Sequence, residues 1–355
     1  MQAGEITRLL EQLLTQDSSL EQWMPHLAAS CRYLLKNKRF HVLYNVQLFM
    51  KDYVRAAMNC YNYFYQQGTQ SYLDLAARLQ FLFIAQEHIQ AYLDPQKWGA
   101  IRHPLFSSKT EERTSTAQKS FQLCLSRDEA ARYLRTIALQ IEVTQYLEQC
   151  LTSNLGKAAA VATQHVARAC SPGAVPTLFG STDQRKDVVQ MILLSGGSKC
   201  LPASFELAWR IITEHKLMPV GILKKVVSEL VKQLQLADMM EVLKMTGQQK
   251  LLDDDEWDEL VSTALLEITE KKLEVKDEAE TLIKLIKKEH NRINAFILSG
   301  RLRSAYLTAA KTNRTQDIIR IMTAAERMGQ AAVRNICKKW LDQQKSLEAD
   351  GGAKD

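Results

Sequence analysis

Glycine and proline are scarce in this sequence of 355 residues, which contains only 14 and 7 of them. An all-β protein of this length needs many more turn residues, so their scarcity favours helices before any pattern is considered. Strand-like alternation of useful length is also missing, whereas apolar residues recur at the helical period along most of the chain. The sequence therefore predicts an all-α protein.

Closely spaced cysteines are missing as well. No two of the seven cysteines are nearer than 20 residues, and their number is odd. That spacing fits neither a disulfide framework nor a Cys-x-x-Cys zinc site. Free thiols are typical of a reducing compartment, so we expect a cytoplasmic protein.

Long apolar runs are absent from the sequence. No segment approaches the roughly 18 apolar residues that a membrane span requires. The first residues, Met1–Glu5, contain no apolar signal region. These observations predict a protein that does not insert directly into a membrane.

A large excess of charge of one sign is also lacking, because the sequence has 46 basic and 40 acidic residues and a formal net charge of +6. The basic residues are spread along the chain in pairs such as Lys224–Lys225 and Lys338–Lys339. Dedicated nucleic-acid binders usually concentrate their charge in a patch or stripe. The pattern favours solvated helix faces, with a helical nucleic-acid-binding or repair-associated module as the alternative.

Motifs for catalysis or cofactor binding are missing too. The segment Gly196–Lys199 lacks the spacing of a phosphate-binding loop, and the seven histidines form no metal-binding pattern. The acidic run Asp253–Glu259 lacks the alternating ligands of an EF-hand, and we interpret it as the capped start of a helix. The sequence predicts no enzyme, no cofactor and no metal site.

Helical segments account for most of what is present. Apolar spacing predicts one helix over 71–93, and a capping box formed by Ser126 and Glu129 predicts another helix that reaches about Leu151. Polar and Pro/Gly-containing stretches at 94–125 and 171–186 are predicted to be loops, the first of them mobile. Further helices are predicted at 184–194, 203–214, 217–234, 236–246, 254–270, 276–287, 289–298, 301–311, 315–328 and 330–343.

These elements suggest a modular organisation. The predicted regions are N-terminal helical hairpins (1–93), a polar loop (94–125), long amphipathic helices (126–170), a connecting loop (171–186), a C-terminal α-solenoid (187–345) and a disordered tail (346–355).

An internal likeness supports stacked hairpins. Phe49-x-x-x-Tyr53-x-x-Ala56 recurs near the end of the chain, where Leu298, Leu302 and Ala305 occupy the same relative positions. In each case a large apolar residue ends one helix, and a small alanine lets the next helix pack closely. The spacing between hairpins is irregular. We therefore expect an irregular, coat-subunit-like α-solenoid rather than a fixed-period array such as tetratricopeptide repeats.

Four stretches resemble one family in the same order. They are Leu134–Thr144, Pro176–Gly180, Arg301–Lys311 and Val333–Leu341, and together they are similar to the C-terminal region of the spastizin family of large FYVE-finger proteins. The likeness extends from about residue 125 to 343.

This resemblance implies a scaffold that acts with spatacsin and the fifth heterotetrameric adaptor complex at late endosomes and lysosomes. It also implies roles in lysosome reformation after autophagy, in cytokinesis at the midbody and centrosome, and in double-strand break repair. The family's FYVE finger binds phosphatidylinositol 3-phosphate and contains zinc. That finger needs four closely spaced cysteine pairs, which this chain lacks, so neither lipid nor zinc binding is assigned to any residue here.

Candidate interface anchors follow from this interpretation, because a few aromatic or arginine side chains usually dominate a protein interface. Residues such as Tyr306 and Trp340 more often belong to a helix core, and Arg301 and Arg303 are equally well explained as ordinary surface charges. The candidates are Leu178, Phe179, Arg301, Arg303, Tyr306 and Trp340.

Overall fold

A computed structural model describes residues 20–65, 69–94, 125–152, 175–271 and 276–351, together with Arg8 and Gln12. Within these residues there are sixteen helices and no strand. The chain divides into two compact units, residues 1–188 and 189–355. The predicted all-α fold is confirmed.

The first unit begins with six helices. They are α1 (Leu20–Lys36), α2 (Phe40–Phe49), α3 (Tyr53–Phe64), α4 (Tyr72–Ala76), α5 (Gln80–Leu93) and α6 (Arg127–Thr152). Helices α1, α2 and α3 pack in sequence, and α5 lies between α3 and α6. The buried side chains of Met24, Val46 and Phe49 join α1 to α2.

The single helix predicted over 71–93 is wrong, because the structure has two helices, α4 and α5, in this range. Across the break, the backbone N–H of Arg78 donates to Leu75 and that of Leu79 donates to Ala76. These hydrogen bonds span three residues instead of four, which tightens the turn and rotates the following helix. Apolar periodicity alone does not detect such a change.

The second unit is a continuous run of helices. After α7 (Thr182–Ser195), which contains the boundary between the units, come α8 (Gly197–Glu214), α9 (Pro219–Lys232), α10 (Leu236–Gln248), α11 (Asp254–Glu270), α12 (Lys276–Leu285), α13 (Glu289–Leu298), α14 (Leu302–Lys311), α15 (Thr315–Arg327) and α16 (Ala331–Gly351).

Alternate helices of this unit pack side by side in two layers. One layer contains α9, α11, α13 and α15, each in contact with the next. In the other layer α8 contacts α10, and α14 contacts α16. Because each helix contacts only near neighbours in the sequence, this arrangement is that of an α-solenoid, and the predicted architecture is confirmed.

Tight turns of one type connect many of the helices. At seven junctions a residue with positive φ ends a helix, and the N–H of the following residue donates to the carbonyl five residues earlier, over 2.8–3.1 Å. This is the Schellman arrangement, which satisfies carbonyls at the end of a helix. The residues with positive φ are Lys38, Lys51, Lys216, Leu234, Gly300, Asn313 and Gly329.

The internal likeness found in the sequence corresponds to two of these turns. Helix α2 ends at Phe49 before the turn at Lys51, and α13 ends at Leu298 before the turn at Gly300. Ala56 and Ala305, which follow these turns, are both completely buried. The predicted close packing after the turn is therefore confirmed at both places.

Several predicted boundaries agree with the structure and others do not. The helices predicted at 254–270 and 289–298 have the same bounds in the structure. Helix α8 begins at Gly197 rather than 203, with Pro202 inside it. Helix α16 reaches Gly351, so residues 346–351 of the predicted tail are helical, because no proline or turn residue interrupts the segment before Gly351.

Two predicted loops fall largely outside the described residues. Of the predicted loop 94–125, the structure describes only Asp94 and Leu125, and of the predicted loop 171–186 it describes 175–186. The latter part contains a short connection and the first turn of α7, which begins at Thr182.

Candidate protein-interaction surface

The connection before α7 is part of the interior of the first unit. Leu178 is completely buried, and its backbone N–H donates to Oε1 of Gln140, in α6, over 2.7 Å. The hydroxyl of Tyr72 donates to the carbonyl of Pro176 over 2.8 Å. These hydrogen bonds satisfy backbone groups that would otherwise be buried without partners.

Phe179 lies among aromatic rings of the same unit. Its ring centroid is 4.5 Å from that of Tyr61 and 5.8 Å from that of Tyr133. That Leu178 and Phe179 anchor a partner stays a prediction. In the structure the side chain of Leu178 is already used in packing within this chain.

The acidic run at the start of α11 caps that helix, as predicted. The N–H of Glu256 donates to Oδ1 of Asp253 over 2.8 Å, and the N–H of Asp253 donates to Oε2 of Glu256 over 3.2 Å. The capping box predicted for Ser126 and Glu129 is also present. Both boxes involve residues only three positions apart, which is why the sequence reveals them.

Two neighbouring residues of α11 hold the next hairpin in place. The indole Nε1 of Trp257 donates to the carbonyl of Leu285, at the end of α12, over 2.8 Å. The carboxylate of Asp258 accepts from the backbone N–H groups of Lys287 and Lys288, before α13, over 2.7 and 2.9 Å. One side chain thus caps the end of α12, and its neighbour caps the start of α13. Because the partners lie 28 to 30 positions away, no local sequence pattern reveals this role.

A second buried carboxylate joins α13 to α15. Asp317 is 4 % exposed, and its oxygens lie 3.1 and 3.2 Å from Nδ1 of His290. Arg314 and Arg320, on either side of it in the sequence, lie 3.6 and 3.2 Å away. Successive helices of this layer are therefore connected by buried carboxylates as well as by apolar contact.

Of the candidate anchors near the end of the chain, three have contacts within it. Arg301 is the N-cap residue of α14 and pairs with Glu280 of α12 across 3.4 Å. Tyr306 and Trp340 are partly buried against the cluster that includes Ala305 and Cys337. Arg303 is exposed. Of these four residues, Arg303 is the one whose side chain is exposed rather than partly buried.

Exposed apolar side chains complete the surface of the last helices. Leu307, one turn after Arg303 in α14, is 60 % exposed, and Ile336 in α16 is 40 % exposed. Neither residue is among the anchors predicted from the sequence. The sequence does contain a signal for their exposure, because at the helical period Leu307 and Ile336 fall on a different side of their helices from Leu302 and Cys337.

The described residues provide little for chemistry. They contain no group of three or more His, Cys, Asp or Glu side chains placed to bind a metal ion. Burial raises the pKa of the Cys31 thiol to about 11 and that of the Cys60 thiol to about 12. Thiols with such pKa values are protonated at neutral pH and react poorly as nucleophiles.

One small recess in the described part of the second unit is lined by apolar side chains, among them Phe205, Trp209 and Leu223, and by no titratable group. An active site usually combines an apolar pocket with a few convergent polar groups. This recess lacks them. Within the described residues, no helix is both long and apolar enough to span a membrane.

Comparison with known proteins identifies relatives of the chain. Residues 218–342 match a family described as ZFYVE26-like, TPR repeats. Helices α9, α11 and α13 begin at residues 219, 254 and 289, which is close to the 34-residue spacing of tetratricopeptide repeats. The next helix of this layer, α15, begins at 315, which breaks the spacing, and in the other layer α10, α12 and α14 begin at 236, 276 and 302. The irregular spacing expected from the sequence is therefore present, although the matched family is described by TPR repeats.

Full-length relatives are much longer than this chain. This chain is 30 % identical over 355 residues to zinc finger FYVE domain-containing protein 26 of Bos taurus. The aligned region covers 99 % of this chain and 13 % of that protein. The protein of the same name from Homo sapiens is 28 % identical over 343 residues, covering 96 % of this chain and 12 % of that protein. No solved structure matches.

The chain thus spans about one eighth of the length of these relatives. The family match agrees with the two-layer helical array of the second unit. The ordered resemblance of the four sequence stretches points to the same family. The chain is therefore similar over nearly its whole length to one region of the spastizin family, and its residues 218–342 match the TPR repeats of that family.

Proposed function

We propose that this chain is a non-catalytic scaffold that holds other proteins, as part of a spastizin-like protein. Its partners would be spatacsin and the fifth heterotetrameric adaptor complex, and its place of action the surface of late endosomes and lysosomes. The processes served would be lysosome reformation after autophagy and cytokinesis at the midbody and centrosome. The resemblance to the spastizin family supports these partners and processes.

The two-layer array of the second unit is the observation that carries this proposal. In such arrays the helices are held by contacts to their neighbours, and the outer faces remain available for binding. The buried carboxylates of Asp258 and Asp317 connect successive helices from within. Arg303, Leu307 and Ile336 remain exposed on the outside.

The test is capture of the proposed partners by the purified full chain. Tagged chain is mixed with purified spatacsin and, separately, with the purified adaptor complex, and the bound fraction is measured. We expect at least one of the two to be retained at physiological salt. Retention of neither would overturn the proposed partners.

A nucleic-acid-binding module is the second candidate, because the segment between positions 299 and 345 contains ten lysines and arginines but only three acidic residues. Phosphate contacts lose affinity steeply as salt rises. Binding of the full chain to duplex DNA at two salt concentrations distinguishes this candidate from the scaffold. We expect no salt-sensitive binding, because apolar side chains lie among the exposed cations.

A further inference from the structure

The exposed charges of the second unit are distributed unevenly. On α11, Asp254 pairs with Lys287 across 2.6 Å, Asp255 with Lys288, and Glu259 with Lys224. Three carboxylates of α11 are therefore paired with lysines of their own unit.

The last helices show the opposite situation. Arg303 and Lys311 on α14, with Lys338 and Lys339 on α16, are exposed, and no acidic group in the described part of the chain forms an ion pair with them. Three acidic residues lie between positions 299 and 345. Asp317 is buried beside His290, and Glu326 pairs with Arg334 across 3.0 Å. Asp342 is exposed one turn after Lys338 on α16, without an ion pair to it.

Helical geometry places part of this charge beside apolar side chains. Leu302, Ala305 and Ala309 mark the buried face of α14, and residues 303, 307 and 311 follow one another at intervals of one turn on the opposite face. Arg303, Leu307 and Lys311 thus form one exposed stripe in which a leucine lies between two cations.

The ion pair between Arg301 and Glu280 shows which flank of α14 faces α12. The other flank, which carries Tyr306, then faces α16, the next helix of the same layer. Alternate helices joined by short turns run in the same direction, so α14 and α16 are parallel. The flank of α16 that faces α14 is therefore the one opposite in sense to the Tyr306 flank of α14. On α16, whose buried face is marked by Val333 and Cys337, that flank carries Ile336 and Trp340.

We infer that the outer groove between α14 and α16 binds an acidic, amphipathic helix of a partner protein. This inference rests on the proposed scaffold function and names one of its surfaces. Carboxylates of the partner would pair with Arg303, Lys311 and Lys339. Its apolar side chains would pack on Leu307 and Ile336, over the partly buried rings of Tyr306 and Trp340.

Charge complementarity selects this partner class. Four exposed cations without an ion-pair partner, against one exposed carboxylate at Asp342, favour an anionic ligand, and interleaved apolar side chains favour one with an apolar face of its own. An amphipathic helix lying in a groove presents both kinds of side chain at intervals of three or four residues. Duplex DNA offers no apolar side chains for Leu307 and Ile336 to contact.

The experiment uses the full chain and a labelled helical peptide that carries glutamates beside leucines on one face. Binding is followed by fluorescence anisotropy, with a charge-reversed peptide of the same apolar face as the negative probe. We expect the acidic peptide alone to bind. Arg303→Glu and Leu307→Ser should each weaken binding by about tenfold, because both side chains lie on the exposed face of α14 that borders the groove.

Two matched variants carry the same changes elsewhere on the second unit. Lys225→Glu alters an exposed lysine of α9, and Met218→Ser alters a side chain that is 69 % exposed. Both should leave the affinity for the peptide unchanged. Equal losses in the control variants would overturn the assignment of the groove. Circular dichroism of all four variants checks that each remains folded.

Other occupants are tested with the same variants. Binding to phosphatidylserine vesicles or to duplex DNA that is lost in Arg303→Glu, with no binding of the acidic peptide, would overturn the inference. Self-association of the chain that Leu307→Ser abolishes, again without peptide binding, would overturn it in favour of a second copy. If spatacsin or the adaptor complex is captured equally by Arg303→Glu and Leu307→Ser, the scaffold function stands and the groove is excluded.

Discussion

The carboxylate of Asp258 accepts a 2.7 Å hydrogen bond from the backbone N–H of Lys287, 29 residues later in the chain. The same side chain also accepts from the N–H of Lys288 and from Nδ2 of Asn291. A single buried carboxylate of α11 therefore fixes where α13 begins. In a solenoid, such a contact sets the position of one repeat relative to the next.

We expect Asp258→Ala to lower the free energy of unfolding by about 3 kcal/mol, because it leaves buried backbone donors without an acceptor. Asp258→Asn keeps an acceptor and should cost less. Urea unfolding followed by circular dichroism measures both. Asp277→Ala, which removes an exposed carboxylate from the first turn of α12, serves as the control and should cost well under half as much. Equal effects at the two positions would contradict the capping role.

Two glycines of the second unit should respond to alanine in opposite ways. Gly300 has a φ of +71°, which costs a residue with a side chain about 1 kcal/mol, although no atom lies within 4 Å of the added Cβ. Gly221 lies inside α9, also with nothing within 4 Å. Gly300→Ala should therefore destabilise the unit, and Gly221→Ala should stabilise it by about 1 kcal/mol. Thermal unfolding of both variants tests the assignment of the turn.

Gly247 in α10 is a third case, in which contact outweighs helix propensity. A Cβ added there would lie 3.0 Å from the ring of Trp257. The ring cannot move away easily, because its Nε1 donates to the carbonyl of Leu285. Gly247→Ala should destabilise the protein by about 1–3 kcal/mol, in contrast to Gly221→Ala. A stabilising effect in the same thermal experiment would show that the indole is free to shift.

Gln140 should be essential to the connection before α7. Replacing it by alanine leaves the N–H of Leu178 buried without its acceptor, which costs about 1–3 kcal/mol, beyond the loss of packing. Gln140→Glu retains an acceptor oxygen but buries a charge, and we expect it to be worse. Hydrogen exchange at the Leu178 amide provides the specific measurement, since the amide should exchange much faster in Gln140→Ala.

Alkaline pH should destabilise the first unit through Cys60. Burial raises the pKa of this thiol from its ordinary value of 9.0 to about 12. Between these values the unfolded chain releases the proton while the folded chain keeps it, so stability falls as pH rises, by up to about 1.4 kcal/mol per pH unit. Urea unfolding at several pH values measures this effect, and the free energy of unfolding should fall less steeply with pH in both Cys60→Ala and Cys60→Ser. An equally steep fall in both variants would show that Cys60 is not its cause.

How far the sequence predicts this structure depends on the distance between interacting residues. The capping box of Ser126 and Glu129 lies within four residues and was correctly predicted. The contact of Leu178 with Gln140 spans 38 positions, so the sequence does not reveal that Leu178, selected as an interface anchor, is buried within its own unit. Sequence patterns give local partners directly, whereas distant partners depend on how the helices pack.

The candidate site shows the same limit. Arg303 was selected because arginine is frequent at interfaces, and it is exposed in the structure. Leu307 was not among the predicted anchors, and it is exposed although most apolar residues of an amphipathic helix face the core. Its position one turn after Arg303, on the face opposite Leu302, was visible in the sequence. That Arg301 pairs with Glu280 required the fold.

The two-layer array of the second unit has a consequence for how the chain folds. Because its contacts join helices that are close in sequence, each hairpin can form before the rest of the unit is available. During synthesis, α9 and α10 could pack as soon as both have left the ribosome, and later hairpins would add to them one at a time. Each folded hairpin would then provide the surface on which the next one packs. Under mechanical tension the hairpins would unfold one at a time, in the reverse order.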